Sequence, residues 1–205
     1  MKYLIAIPCM DTMPTGFVRS LVSTRIIGTC EISFAISSLI YDARNHLAHK
    51  GATEGFDRVL WLDSDMTYSP DLMERLAARL DEGADMVTGL YMKRKAPIEP
   101  TIFKSGTLEK PTSDVYLDYP RDALFEVAGC GFGAVMMTAE LLKVVGDAYG
   151  APFSPVSGAG EDLSFCYRVR ALGRKIWCDS SIKLGHVGYV EITEQTYLTE
   201  KERRK

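Results

Sequence analysis

The chain has 205 residues, of which 46% are hydrophobic, and carries a formal net charge of -3 at pH 7. This length and composition fit one globular domain with a sizeable core, and the charge excludes a whole-chain electrostatic footprint for nucleic acid. The five cysteines are odd in number and show no Cys-x-x-Cys spacing. Neither a zinc site nor a disulfide framework is therefore indicated, and a reducing compartment is the simpler interpretation. No apolar stretch approaches the length of a membrane span, so we expect a cytoplasmic protein.

Strand and helix patterns alternate along the first half of the chain. Apolar runs typical of buried strands occupy residues 2–8, 58–62 and 85–90, with a weaker strand pattern at 31–36. Amphipathic stretches predict helices over residues 17–27, from 38 to Gly51 or Gly55, and over 70–82. The third helix has Ser69 as its candidate cap, Pro70 at its first position and Gly83 after its end.

The second half begins with a polar, turn-rich stretch at residues 104–121. We interpret this stretch as a hairpin or a flexible excursion that could carry acceptor contacts. The apolar run at 125–138 is interrupted by three glycines, which indicate a bulge or a close approach of the backbone. Beyond it, the patterns predict a helix over 139–145, a Gly/Pro/Ser-rich loop at 149–160, a helix over 161–172 and a strand at 175–178.

The alternation of strands and helices predicts one α/β domain over residues 1–190, followed by a tail at 191–205. We expect a Rossmann-like architecture, in which a mostly parallel central sheet is flanked by helices and carries a small antiparallel excursion. We see no internal repeat and no linker between domains.

Two carboxylates, Asp63 and Asp65, follow the predicted strand at 58–62. Alternate side chains of an extended backbone point to the same side, so both can project from the carboxyl end of the strand, where open α/β sheets place ligands. Oxygen ligands of this kind suit Mg²⁺ or Mn²⁺ better than zinc. The alternative is that an Asp-x-Asp before a helix only caps that helix.

A second acidic pair, Glu161 and Asp162, follows the flexible stretch at 157–160. A carboxylate placed here could take a proton from an acceptor hydroxyl. The alternative is that acidic residues in a first helical turn are favoured by the helix dipole alone.

His186 lies between glycines in the segment Leu-Gly-His-Val-Gly, and a lone histidine is more often a hydrogen-bonded structural residue than a ligand. The basic turn formed by Lys93 and its two neighbours could neutralise a diphosphate, although a solvated basic turn is equally ordinary. Arg44 and Asn45 are polar on an otherwise packed helix and are candidates for the same task. No Walker or dinucleotide-binding fingerprint is present.

These features form an ordered series of short motifs between Tyr3 and Gly188. The series consists of a first strand ending in Ile-Pro, Ala43-Arg44-Asn45, Leu62-Asp-Ser-Asp65, Val127-Ala-Gly-Cys-Gly-Phe-Gly133, Gly160-Glu-Asp162 and Gly185-His-Val-Gly188. It resembles the GT-A glycosyltransferases, especially small soluble members of the family 2 type, and Asp63-Ser-Asp65 then matches their DxD motif. No Gln-x-x-Arg-Trp follows the second acidic pair, so a processive polysaccharide synthase is not expected.

The resemblance implies a metal-dependent glycosyltransferase that moves a sugar from a nucleotide-diphosphate sugar to an acceptor hydroxyl, with Mn²⁺ or Mg²⁺ as cofactor. The implied donor-binding residues are Pro8, Met10, Asp11, Arg44, Asn45, Asp63, Ser64 and Lys93. The implied metal ligands are Asp63, Asp65 and His186. Asp162 is implied as the catalytic base of an inverting enzyme, with Glu161 beside it. The acceptor could be a glycan, a small molecule, a protein or a modified nucleic acid.

Three other functions remain open from the residues. A sugar-phosphate nucleotidyltransferase of related fold would use similar carboxylates, but usually carries a Gly-rich signature that residues 9–16 lack. A noncatalytic nucleotide-sugar-binding module could have kept the fold, although both acidic pairs and His186 are intact. A metal-dependent nuclease or phosphatase could also use two acidic pairs, but the order of elements fits it less well.

Overall fold

The structure is a computed structural model, and it describes residues 1–188 and residue 194. The domain limit expected at residue 190 and the tail expected at 191–205 lie outside the described residues, apart from Glu194.

A seven-stranded sheet forms the centre of the fold. In chain order the strands are β1 (Lys2–Cys9), β2 (Thr29–Ile36), β3 (Arg58–Leu62), β4 (Met66–Thr67), β5 (Met86–Leu90), β6 (Ile102–Phe103), β7 (Leu124–Val127), β8 (Gly129–Cys130), β9 (Ala134–Thr138), β10 (Ile176–Lys183) and β11 (Gly185–His186). The strand order in the large sheet is β2-β1-β3-β9-β5-β10-β7, and only β9 and β7 run against the others. The mostly parallel sheet predicted from the sequence is therefore confirmed.

Helices cover both faces of this sheet. They are α1 (Thr15–Val22), α2 (Ile40–Thr53), α3 (Leu72–Asp81), α4 (Ala139–Tyr149) and α5 (Glu161–Ala171). Successive residues of β1 show why both faces are covered, because Leu4 packs with α2, α4 and α5 while Ile5 packs with α1 and α3, and both are fully buried. This explains the near-continuous apolar run at 2–8, since a strand between two layers has no solvent-facing side. No helix of the described residues is both long enough and apolar enough to cross a membrane.

Several helix starts and ends differ from the sequence prediction, and α4 continues to Tyr149 instead of ending at residue 145. α1 ends at Val22, not at residue 27, because the chain turns to bring the Arg25 N–H to the Pro70 carbonyl at 2.9 Å. The prediction of Ser69 as the cap of α3 is wrong, because the capping residue is Asp71 and its side chain makes no capping hydrogen bond. Thr138 caps α4, and its hydroxyl accepts a hydrogen bond from the Leu141 N–H at 3.2 Å.

The antiparallel excursion is found in part where the sequence predicts it. Residues 104–121 form no regular strand, but they return antiparallel to β6 at a bridge between Phe103 and Val115, where the Lys104 N–H donates to the Asp114 carbonyl at 2.9 Å. Two small antiparallel pairs lie outside this segment, β6 with β8 and β4 with β11. β10 also continues to Lys183, five residues past the predicted end, because its polar Asp179 is satisfied by Arg79 at 2.8 Å.

Candidate functional site

A cleft of about 520 Å³ opens at the carboxyl ends of β1 and β3. Its wall comes from the ends of these strands, the segments after β1, β2 and β5, the glycine-bearing segment before β9, the start of α5 and the β11 segment. The residues that line it are Pro8, Cys9, Met10, Thr12, Pro14, Ser37, Ser38, Ile40, Arg44, Asp63, Ser64, Asp65, Tyr91, Arg94, Phe132, Glu161, Asp162, His186 and Val187. Both predicted acidic pairs and His186 therefore share one cleft.

Arg44 connects the two acidic pairs. Its Nη2 donates to Asp63 Oδ1 at 2.7 Å and its Nε donates to Glu161 Oε1 at 3.4 Å, although the side chain is only 3% exposed. The guanidinium lies over the Phe132 ring, 5.0 Å from its centroid. Its Nη1 is buried and has no hydrogen-bond partner within the described part of the chain. A buried N–H without a partner is costly, so this atom is a ready donor for a ligand oxygen in the cleft.

Asp63 sits at the point where β3 ends, and its N–H donates to the Gly133 carbonyl at 3.2 Å. Burial raises the pKa of this carboxyl, and the charge of Arg44 offsets only part of that effect. Removal of Arg44 would therefore leave a buried carboxylate without its counter-ion.

Asp65 and His186 form the second contact pair of the cleft. Antiparallel pairing of β4 with β11 holds them together, and His186 Nε2 lies 3.3 Å from Asp65 Oδ2. Asp65 also accepts from the Arg94 guanidinium. Burial works to raise the pKa of Asp65, but the hydrogen bond with His186 and the nearby positive charges outweigh it and hold that pKa below its usual range. The hydrogen bond to Asp65 in turn raises the pKa of His186.

Glu161 and Asp162 are the first two residues of α5, and both line the cleft. Burial, with the neighbouring charge of Glu161, raises the pKa of Asp162 to about 6. Asp162 Oδ1 accepts from the Leu163 N–H at 2.7 Å, which orients the carboxyl at the start of the helix. A carboxyl with this pKa is ionised at neutral pH and is a stronger base than an ordinary aspartate.

The glycines before β9 let Tyr91 lie against the backbone. Tyr91 Oη accepts from the Gly133 N–H at 3.2 Å, and a Cβ on Gly133 would lie 2.7 Å from the Tyr91 ring. A Cβ on Gly131 would collide with the same hydroxyl. The close approach predicted from the glycine spacing thus exists, and the neighbour that approaches is Tyr91.

The loop after α4, residues 150–160, is attached at both ends. Asn45 Oδ1 accepts from the Phe153 N–H at 2.8 Å, and Phe153 stacks on Phe165 with ring centroids 4.5 Å apart. At the other end, the Ser164 hydroxyl donates to the Gly160 carbonyl at 2.7 Å and accepts from the Val156 N–H at 2.9 Å. These contacts fix the position of the loop that leads to Glu161 and Asp162 at the start of α5.

The donor-binding residues predicted from the sequence fall into two groups. Pro8, Met10, Arg44, Asp63 and Ser64 line the cleft, whereas Asp11, Asn45 and Lys93 do not.

Lys93 pairs with Glu99 at 2.7 Å, and its neighbour Arg94 faces the cleft instead. Tyr91 and Phe132 also line the cleft, although no sequence motif marks either as a site residue. The basic turn in the sequence indicated a possible diphosphate contact near Arg94. Which of its basic side chains faces the cleft depends on the conformation of the loop.

The cleft contains some of the ligands that a divalent cation would need. His186 Nδ1 lies 2.9 Å from the Met92 carbonyl, which can only accept, so in the neutral ring Nε2 carries the lone pair and faces Asp65. This is the arrangement of a metal-binding histidine, whose other ring nitrogen donates to a carbonyl. Within residues 1–188, however, no three acidic, histidine or cysteine side chains form a group that could hold a metal. Asp63 is engaged by Arg44, so Asp65 and His186 are the two candidate ligands that meet.

Comparisons with known proteins give likenesses in structure. No protein-family model matches the sequence, and no curated protein matches it. The structure is similar to A197 from STIV, with a TM-score of 0.66 and 20% identity over 92% of this chain and 87% of that one. It is also similar to GalNAc-T7 crystallised with UDP, GalNAc and Mn²⁺, with a TM-score of 0.63 and 11% identity over 93% of this chain and 43% of that one.

A third similar structure is S. aureus TarS 1-349, with a TM-score of 0.57 and 17% identity over 91% of this chain and 60% of that one. The chain thus spans less than two thirds of the length of the GalNAc-T7 and TarS chains. These likenesses show that the protein has a GT-A-like fold, the fold that the sequence resemblance implied.

Proposed function

We propose that the protein is a metal-dependent glycosyltransferase that moves a sugar from a nucleotide-diphosphate sugar to an acceptor hydroxyl. The observation that carries the proposal is the cleft itself. In this GT-A-like fold, the cleft brings together Asp65, His186 and Asp162. The buried Arg44 bridges Asp63 and Glu161 in the same cleft.

The donor diphosphate would lie on the wall formed by Asp65, His186 and Arg94. Asp65 and His186 would hold a Mn²⁺ or Mg²⁺ ion, which when bound stabilises negative charge on the leaving diphosphate as a Lewis acid. Arg94 is close enough to Asp65 to neutralise a phosphate oxygen at the same place. The unpaired Nη1 of Arg44 would donate to a donor oxygen.

The acceptor hydroxyl would approach Asp162. As the sugar–phosphate bond breaks, the anomeric carbon becomes oxocarbenium-like, as in glycoside hydrolysis. Asp162 would take the proton of the incoming hydroxyl, and its pKa of about 6 suits a general base at neutral pH. Glu161, held by Arg44, would position the start of α5 and add negative potential near the developing cation.

The test is a titration of the protein with a panel of nucleoside-diphosphate sugars, with and without Mn²⁺, together with an assay of donor hydrolysis. We expect one donor to bind only with the metal, and we expect Asp65→Ala and His186→Ala each to abolish that metal-dependent binding. Asp147→Ala and His49→Ala are the matched controls, because both residues are exposed and remote from the cleft, and they should bind as the wild type does.

Other outcomes would replace the proposal. Donor binding that persists in Asp65→Ala and His186→Ala would contradict the role of these residues. Metal-dependent donor binding without hydrolysis or transfer to any acceptor would indicate a noncatalytic binding module. Formation of a nucleotide sugar from a sugar phosphate and a nucleoside triphosphate would indicate a nucleotidyltransferase.

A further inference from the structure

The free edge of β2 is exposed and apolar. In the described part of the chain, β2 lies at one end of the large sheet and pairs with β1 on one side only. Three large apolar side chains of this strand are exposed, Ile32 at 43%, Phe34 at 46% and Ile36 at 69%. Proteins commonly protect such an edge with lysine, proline, a bulge or a short strand. β2 has eight residues, no lysine, no proline and a regular register with β1.

The backbone of β2 determines which of its groups are free. The N–H groups of Thr29 and Ser37 donate to Met1 and Cys9, so the odd-numbered positions face β1. Because alternate residues of a strand turn their N–H and C=O groups to opposite sides, the even-numbered residues turn theirs to the free edge. Among residues 1–188, Cys30, Ile32, Phe34 and Ile36 therefore offer four pairs of backbone groups that no other strand uses.

We propose that β2 pairs antiparallel with β2 of a second copy of this chain, so that two seven-stranded sheets join across a two-fold axis. The register follows from the free groups. When Ile32 lies opposite the partner's Phe34 and Cys30 opposite the partner's Ile36, all four free positions are used in both copies. A shift by two residues in either direction leaves at least one of these positions without a partner on β2.

Charge and side-chain chemistry agree with this register. Ser33 lies at the two-fold axis, and Glu31, the one charged residue of β2, lies opposite an alanine of the partner strand. Glu31 already pairs with Lys50 at 2.9 Å, so no like charges meet across the axis. The apolar residues of the two strands face the same side of the joined sheet and form cross-strand pairs of the kind that stabilise sheets. A second copy thus fits this edge, and the inference does not depend on the proposed activity.

The first experiment measures the mass of the full chain by light scattering across a concentration series. We expect a species of about twice 22.8 kDa at a chain concentration of about 50 µM. Phe34→Lys should return it to one chain, because a lysine on the strand edge opposes pairing. Ile98→Lys is the control, since Ile98 is 65% exposed and lies between β5 and β6, neither of which pairs with β2, and this variant should remain a dimer.

The second experiment tests the register by cross-linking in a Cys30→Ser background. Opposed residues that are not hydrogen-bonded have Cα atoms about 4.5 Å apart, which a disulfide can bridge, so Ser33→Cys should form covalent dimers under mild oxidation. Glu31→Cys should not, because the same residue of the partner lies about 13 Å along the strand.

Each other result counts against the proposal. A single-chain mass at every concentration would overturn it, and so would a dimer that persists in Phe34→Lys. Cross-linking through Glu31→Cys but not Ser33→Cys would overturn the register. A dimer that depends on residues 189–205 and not on Phe34 would show that another part of the chain forms the contact.

Discussion

Arg44 is the residue on which the geometry of the cleft depends most. It forms ion pairs with residues 19 and 117 positions away, and it therefore links α2 to the end of β3 and the start of α5. Its burial means that the two carboxylates it contacts are held at a defined separation. At this scale, burial raises the pKa values of Asp63 and Asp162 and Arg44 opposes it, whereas His186 and Arg94 outweigh burial and hold the pKa of Asp65 low.

Asp162→Asn should abolish sugar transfer and stabilise the fold. Its pKa of about 6 lies above the ordinary value of 3.8, so the native state binds more protons than the unfolded state between these pH values. Stability therefore falls as pH rises through that window and stays reduced at neutral pH. Because the side chain is partly exposed, we expect a gain of about 1–2 kcal/mol in the free energy of unfolding at pH 7.5. Urea denaturation of the wild type and of Asp162→Asn at pH 7.5 and pH 4 measures this gain.

The pH profile gives the matching functional result. The charges that face Asp162 are those of Glu161, Arg44 and Asp63. Transfer by the wild type should rise as pH increases through about 6, because the base must be ionised. Asp147→Asn, on an exposed turn of α4, should alter neither profile nor stability. A stability gain equal at pH 4 and pH 7.5 would contradict the assignment.

Gly131→Ala should be destabilised by its clash with Tyr91, and Tyr91→Phe should rescue it. The new methyl group meets the Tyr91 hydroxyl, while the next atoms, Tyr91 Cζ and Thr101 Cβ, lie 3.2 and 3.5 Å away. We expect a loss of about 2 kcal/mol in Gly131→Ala. Tyr91→Phe alone should lose about 1 kcal/mol, because the Gly133 N–H loses its acceptor. Denaturation of the two single variants and the double variant gives the coupling energy, and additive losses would show that the hydroxyl is not the obstacle.

At the scale of elements, the loop at 150–160 is positioned by α2 through Asn45. Asn45→Leu removes the acceptor of the Phe153 N–H, so the loop should open more often. Hydrogen exchange at the Phe153 amide should become about tenfold faster, which corresponds to a lost hydrogen bond of about 1.4 kcal/mol. Asn45→Asp keeps an acceptor oxygen and should exchange as the wild type does. If the Phe153 amide exchanged at the wild-type rate in both variants, aromatic packing of Phe153 alone would hold the loop.

At the scale of the whole molecule, the sheet separates two cores. On β9, Met136 packs on the side of α1 and α3 while Met137 packs on the side of α2, α4 and α5, and both are fully buried. Met136→Ala and Met137→Ala should each cost about 2–4 kcal/mol in the free energy of unfolding. Their losses should add in the double variant because the side chains share no neighbours across the sheet. Ile98→Ala, on the exposed surface, should change stability by less than about 0.5 kcal/mol.

Elements with strong local periodicity were predicted well. The strand at 58–62 was predicted with the bounds of β3, and the helix over 161–172 differs from α5 by one residue. Strands of two residues, such as β4 and β11, have no period to detect. β10 was predicted too short because its polar residues are satisfied by distant partners such as Arg79, which no local pattern reports.

The sequence by itself determined the fold class and the two acidic pairs that open the cleft. Both depend on local patterns, because a buried strand must be apolar and a carboxylate after it must project from the sheet. Only the tertiary structure decided that Arg44 bridges the pairs, that Arg94 and not Lys93 faces the cleft, and that Asp63 pairs with Arg44 while Asp65 pairs with His186. These outcomes depend on contacts between residues far apart in the chain and on the direction in which a loop turns its side chains. Neither is encoded in the spacing of residues along the sequence.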